Sequence, residues 1–262
     1  MKRSAPGPLE EKASRLVRVG KRIAATSVSA LAANGKLRRL HGGPLAAIRR
    51  ERALLLRDFF GQLCLLHGLE VVVTGARPCG EALLASNHLS YFDPIAIGSV
   101  IPCIPISKLD VADWPIIGAL ARELGVLFVD RGDGHSGMRV LRGAVRAFAD
   151  RLPVLNFPEG TTTTGEFVLP FRSGLFGLAM RIGVPVVPVS LQYDPPEAAW
   201  VGDAKFLPHY LRMAGEDRIR VQIHFGPALE PAAFPTARDL AGAAHSLVLE
   251  QLGGHHVAAV GS

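Results

Sequence analysis

The chain has 262 residues, of which 48% are hydrophobic and 20% charged, and its formal net charge is +6. Apolar content at this level excludes a disordered polypeptide and is ample for one domain with appendages or two small domains. The longest charge-free run, Pro94–Ser107, is 14 residues and holds three prolines. A spanning helix needs roughly 20 apolar residues, so no transmembrane segment is predicted.

The charge is unevenly placed. Residues 1–60 contain 14 Lys and Arg against four acids, a balance of +10, which leaves the other 202 residues at −4. A local block of this kind points to an anionic partner, a lipid surface or a nucleic acid, and the remainder of the chain shows no matching basic stripe. Cys64, Cys79 and Cys103 lie far apart without metal-ligand spacing, which predicts buried thiols in a reducing compartment. The first residues lack the apolar core of a signal peptide. These readings place the protein on the cytosolic side.

Along the chain, residues 12–32 carry Leu16, Val19, Ile23 and Leu31 at roughly helical spacing, interleaved with Arg15, Arg18, Lys21 and Arg22. Gly42, Gly43 and Pro44 interrupt. A second helical pattern runs from Ile48 to Leu66 with Arg49, Arg50, Arg52 and Arg57 between its apolar positions. The pair reads as a basic amphipathic hairpin over 1–67, either packed on its own protein or seated on a membrane surface. From 68 to 262, short apolar runs alternate with helical patterns. Strands are predicted at 70–74, 82–86, 103–107, 125–129, 153–157, 184–191 and 219–225, with helices near 94–101, 114–123, 135–150, 174–182 and 238–252. That alternation predicts an α/β fold: a mixed, mostly parallel sheet flanked by helices.

Three segments at predicted strand ends carry candidate chemistry. Asn87-His88-Leu89-Ser90-Tyr91-Phe92-Asp93-Pro94 offers an imidazole with an acid five residues on, which suits a general base held in one tautomer. The same Asp-Pro is also a good helix start. Phe157-Pro158-Glu159-Gly160-Thr161 and the threonines after it make a hydroxyl-rich loop able to bind an anion or oxyanion, or else a plain turn. Arg131, after Val129-Asp130, could clamp a phosphate or form a surface pair. A fourth segment, Gly132-Asp133-Gly134-His135-Ser136-Gly137, matches the dinucleotide fingerprint, but Asp130 and Arg131 separate it from its strand. There is no GxSxG serine elbow.

Taken in order, the His88/Asp93 block, Gly125–Arg131, Phe157–Thr161 and Val184–Val189 resemble the four motif blocks of the glycerolipid acyltransferase family, whose best-known members are bacterial 1-acylglycerol-3-phosphate O-acyltransferases. Ser107-Lys108 and Trp114-Pro115 resemble the stretch between the first two blocks. The resemblance covers about 68–230. It implies that 68–262 is an acyltransferase domain with His88 and Asp93 as the catalytic pair, using no cofactor and no metal. It further implies an acceptor site of Arg131, Glu159, Gly160, Thr161 and Arg172, supported by Asn87 and Lys108. The donor would be acyl-CoA or acyl-carrier protein, and the acceptor a lysophospholipid at an anionic membrane surface, with no nucleic acid involved. 1-Acylglycerol-3-phosphate is the first expectation. Thr162, Thr163 and Thr164 stand where many such enzymes follow Glu-Gly-Thr with Arg, which keeps lyso-ornithine lipid or another lysolipid open. A nicotinamide-dependent oxidoreductase using 132–137 and a lipid-binding module without turnover are the rival readings. The implied location is the cytosolic membrane face, peripheral or monotopic.

Overall fold

The computed structural model describes residues 8–40, 43–113, 117–130, 132–202 and 204–253. Gly42, the Trp114-Pro115 pair and Arg131 of the sequence reading lie outside the described residues. The elements run α1 (Pro8–Leu37), α2 (Leu45–His67), β1 (Leu69–Gly75), β2 (Leu83–Ser86), α3 (Asp93–Val100), β3 (Ile104–Lys108), α4 (Ile117–Leu124), β4 (Leu127–Val129), α5 (Gly134–Ala149), β5 (Val154–Asn156), α6 (Gly174–Ile182), β6 (Val186–Asp194), α7 (Phe206–Gly215), β7 (Ile219–Phe225) and α8 (Ala237–Gln251).

All seven predicted strands are present, in one sheet of order β1-β7-β6-β2-β5-β3-β4. β6, β2, β5, β3 and β4 are mutually parallel; β7 is antiparallel to β6 and parallel to β1. This is the mixed, mostly parallel sheet expected. β2 is buried at every residue, whereas β7 alternates buried and open positions, because central strands are covered on both faces and outer ones on one. Side-chain alternation splits the core in two. Leu84, Leu155, Leu191 and Tyr193 pack with α3 residues Ala96 and Ile97, while Leu83, Val154 and Val186 face Ala144 of α5, Phe176 of α6 and Ala244 of α8. α2, α3 and α7 therefore form one layer and α5, α6 and α8 the other. Two of the three cysteines are buried as expected, but Cys79 is exposed, since it lies in the loop between β1 and β2 that neither layer covers.

The N-terminal hairpin packs through Ala30, Ala33, Leu37, Leu56, Phe59 and Leu63 against α4 residues Leu120 and Leu124. α2 ends at Gly68, whose φ of 68° permits the left-handed cap; a Cβ there would come within 2.5 Å of the Asp217 carbonyl oxygen. Five of the hairpin's arginines are turned onto the ends of neighbouring helices. Arg18 donates to the Gly215 carbonyl at 2.6 Å, and Arg22 to those of Ala214 at 3.0 Å and Glu216 at 2.6 Å. Arg15 pairs with Glu216 at 2.7 Å. These three arginines satisfy the C-terminal carbonyls of α7, where positive charge is favoured. Arg49 and Arg50 do the same at the end of α5, on the Asp150 side chain and carbonyl respectively. The opposite side of α1 is apolar and open to solvent: Leu16 (66% exposed), Val17, Ile23, Val28 and Leu31 (63%). No helix among the described residues is long and apolar enough to cross a membrane.

Candidate active site

β2 ends at the middle of the sheet, with β6 and β5 as its neighbours. Asn87, fully buried, extends the β2–β6 ladder with its side chain: Nδ2 donates to the Leu191 carbonyl at 2.9 Å and Oδ1 accepts from the Leu191 N–H at 2.8 Å. This fixes where the chain leaves the sheet. His88 follows at the carboxyl end of the strands, where open α/β sheets place reactive groups.

The His88 ring stacks on Phe157, just past β5, with centroids 4.1 Å apart. Its Nδ1 lies 2.7 Å from Asp93 Oδ2. Asp93 is wholly buried, and the same oxygen accepts from the backbone N–H groups of Leu89 at 2.6 Å and Ser90 at 3.0 Å. Its other oxygen accepts from the Tyr193 hydroxyl at 2.8 Å. Asp93 opens α3 without capping it, for the N-cap position is Phe92 and the carboxylate turns back to the imidazole. A carboxylate on one side of the ring fixes the proton on Nδ1 and leaves the Nε2 lone pair free. Nε2 has no hydrogen-bond partner among the described residues, and the His88 side chain is 21% exposed. A held imidazole with one open basic nitrogen is equipped to take a proton from a substrate hydroxyl.

Glu159 ends the neighbouring strand's exit and is almost completely buried (2% exposed). Oε1 accepts from the His88 N–H at 2.7 Å and Oε2 from the Leu169 N–H at 2.8 Å. Burial pushes its carboxyl up to about 7, with the two N–H donors acting against the rise. Both oxygens are occupied by backbone, so Glu159 braces the loop against His88. Gly160 adopts φ +79°, and a Cβ there would sit 2.9 Å from Arg172 Cζ; the glycine lets an exposed guanidinium lie over the loop. Thr161 is exposed. Thr163 is buried and its N–H donates to the His88 carbonyl at 2.9 Å, while the Thr162 hydroxyl donates to the Trp200 carbonyl. The threonine loop is thus fastened at two points beside the histidine.

Lys108 stands apart from this cluster. It ends β3, is exposed and pairs with Asp110. The glycine-rich segment is a helix start: the Asp133 side chain accepts from the His135 N–H at 2.9 Å and caps α5, so a carboxylate already occupies the place an anionic cofactor would need. Among the described residues no three His, Cys, Asp or Glu side chains gather as a metal site. Tyr193 was not singled out in the sequence. Its signal was there in part: a phenol two residues after Leu191 falls on the same apolar face, and a buried hydroxyl needs a partner.

A buried acid orienting a strand-end histidine, with a braced loop beside it, is the arrangement that general-base transfer requires. The comparisons agree on the family. The acyltransferase family model matches residues 66–192. The lyso-ornithine lipid O-acyltransferase of Pseudomonas aeruginosa is 36% identical over 198 residues, 74% of each chain. The 1-acyl-sn-glycerol-3-phosphate acyltransferase of Escherichia coli is 32% identical over 136 residues, 50% of this chain and 56% of that one. In fold, the crystal structure of the 1-acyl-sn-glycerophosphate (LPA) acyltransferase PlsC from Thermotoga maritima superposes with a TM-score of 0.69 at 20% identity, covering 93% of this chain and 97% of that one. The chain belongs to the acyltransferase family and is an O-acyltransferase.

Proposed function

We propose that this protein moves a fatty acyl group from acyl-CoA or acyl-carrier protein to the free hydroxyl of a membrane lysolipid. The observation that carries the reading is the 2.7 Å contact between His88 Nδ1 and Asp93 with Nε2 left open. Nε2 takes the acceptor's hydroxyl proton as the oxygen attacks the thioester carbonyl. The C–O bond forms, the C–S bond breaks, and the departing thiolate recovers the proton from the imidazolium. No covalent enzyme intermediate is involved. General-base help of this kind contributes about 10²–10⁴-fold. Asn87 and Glu159 position His88; Gly160, Thr161, Arg172 and Arg131 receive the acceptor's head group, and Lys108 supports the adjoining edge.

Two acceptors have separate support. The motif blocks favour 1-acylglycerol-3-phosphate, giving phosphatidic acid. The longer match to the lyso-ornithine enzyme and the absence of an arginine at Thr162, whose hydroxyl is bound to Trp200, favour a zwitterionic acceptor such as lyso-ornithine lipid. Residues 1–67 act as the membrane-docking region on the cytosolic face, with the apolar side of α1 entering the interface. With five arginines spent on α7 and α5, the charge of the N-terminal block contributes less to that attachment than its total suggests.

Thiol release from acyl-CoA and acyl-carrier protein, measured with vesicles carrying each lysolipid, tests the function. Wild-type protein should turn over on at least one acceptor, and His88→Ala should lose at least a hundredfold in kcat while melting normally. Near-normal turnover by the folded variant would sink the mechanism.

A further inference from the structure

The outer face of α5 takes no part in the site described above, and its charge is one-sided. Gly134–Ala149 contains Arg139, Arg142 and Arg146 and no acid, within a stretch, residues 61–262, that is −4 overall. The sequence suggested no basic stripe in this part of the chain, because three arginines among 16 residues form one only when the helix folds. Spacings of three and four bring them to one face, and all three are exposed. Beside them run Met138 (50% exposed) and Val145 (42%), seven residues apart on the same side. Ala144, Ala147 and Phe148 on the other side bury into the core. Arg139 pairs with Asp133 at 3.1 Å; Arg142 and Arg146 have no ion-pair partner among the described residues.

A ridge with two arginines free of ion pairs among the described residues, next to an apolar one, complements an acidic amphipathic helix. Its location fits a soluble partner that delivers substrate. α5 begins where β4 ends, at the same end of the strands as His88 and three strands from β2, about 14 Å in the plane of the sheet; Arg142 and Arg146 follow roughly 12 and 18 Å along the helix axis, a span for the donor's long thioester arm. The hairpin meets α5 at its C-terminal end, where Arg49 and Arg50 bind Asp150 and Ala53 joins the cluster of Ala144, Ala147 and Phe148, while Arg139, Arg142 and Arg146 stay exposed. We propose that the outer face of α5 docks acyl-carrier protein, whose acidic helices supply the matching charge, and that the thioester arm reaches from there to His88. This rests on the acyl-transfer reading above.

The test uses full-length protein and the double variant Arg142→Glu/Arg146→Glu, with the same acyl chain on carrier protein and on CoA. Melting curves establish that the variant folds. The KM for acyl-carrier protein should rise at least tenfold, with saturated kcat and the KM for acyl-CoA within about twofold of wild type. The wild-type KM for the carrier should also climb with salt while that for acyl-CoA moves less. Equal losses with both donors would place CoA phosphates on this face, and reduced vesicle sedimentation would place lipid there; either overturns the proposal, as does an unchanged carrier KM. Should wild-type protein transfer from neither donor, the acyl-transfer reading fails by itself. Titration of fluorescent holo-carrier protein against wild type and variant then decides the docking face: binding lost in the variant supports it, and no binding by wild type or equal binding by both overturns it.

Discussion

Two turns leave the carboxyl ends of strands with some of the same residue types and opposite uses. Residues 87–93 and 130–136 each follow a strand, contain a histidine and at least one acid, and run into a helix. In the first, Asp93 is wholly buried and receives His88, two backbone N–H groups and the Tyr193 hydroxyl. In the second, Asp133 is 37% exposed, caps α5 and pairs with Arg139. The first turn springs from the centre of the sheet and the second from its rim. The comparison teaches that convergence of donors from distant strands, and not the local motif, separates the carboxylate proposed for catalysis from a structural one.

The sharpest way to break this contrast is Asp93→Asn. The amide would turn an N–H₂ toward donors and release the imidazole tautomer, and kcat should fall about 10²–10⁴-fold with folded protein retained; activity within threefold of wild type would erase the distinction. Next comes Glu159, whose carboxyl rises from 4.5 to about 7 in the folded chain. A group that binds its proton more tightly when folded stabilises most below its unfolded value and loses that contribution as pH climbs through the folded one. The difference in unfolding free energy between wild type and Glu159→Gln should therefore shift against wild type by about 3 kcal/mol from pH 4.5 to 7.5. Urea midpoints at the two pH values measure it, and a flat difference would refute the cause assigned.

Smaller effects refine the picture. Tyr193→Phe leaves a buried Asp93 oxygen unpartnered, a loss of ~1–3 kcal/mol, and should lower kcat about tenfold with the acceptor KM nearly unchanged. A matched fall in both would mean that the phenol helps bind substrate. Asp133→Ala should cost about 1 kcal/mol of stability through the lost cap while leaving kcat untouched, which thermal melts and the thiol-release assay can check together.

What the sequence revealed follows from the range of the interactions. The seven strands were legible because each is a short apolar run bounded by Gly, Pro or charge. The His88–Asp93 pair was legible because it closes over five residues. Tyr193 lies 100 residues from the acid it holds, and the Glu159 oxygens reach His88 across 71, so their roles appear only in the fold. α7 escaped notice for a related reason. Pro208 lies in its first turn, where an N–H is not needed, and its other end is completed by arginines nearly 200 positions upstream. The hairpin's basic residues suggested a membrane-facing charge, but the helix turns much of that charge inward.

That inward turn has a consequence for how attachment and activity are to be separated. α1 is a brace as well as an apolar strip: removing it strips three arginines from the end of α7, and α7 carries His209, which meets the Tyr91 hydroxyl at 3.1 Å within the turn that holds His88 and Asp93. A shortened chain would lose the proposed hold on the interface and loosen the candidate site in one stroke, and its two defects could not be told apart. Replacing Leu16, Val28 and Leu31 with serine leaves the arginine brace in place and removes only the outward face. The two sides of a single helix can thus be questioned one at a time.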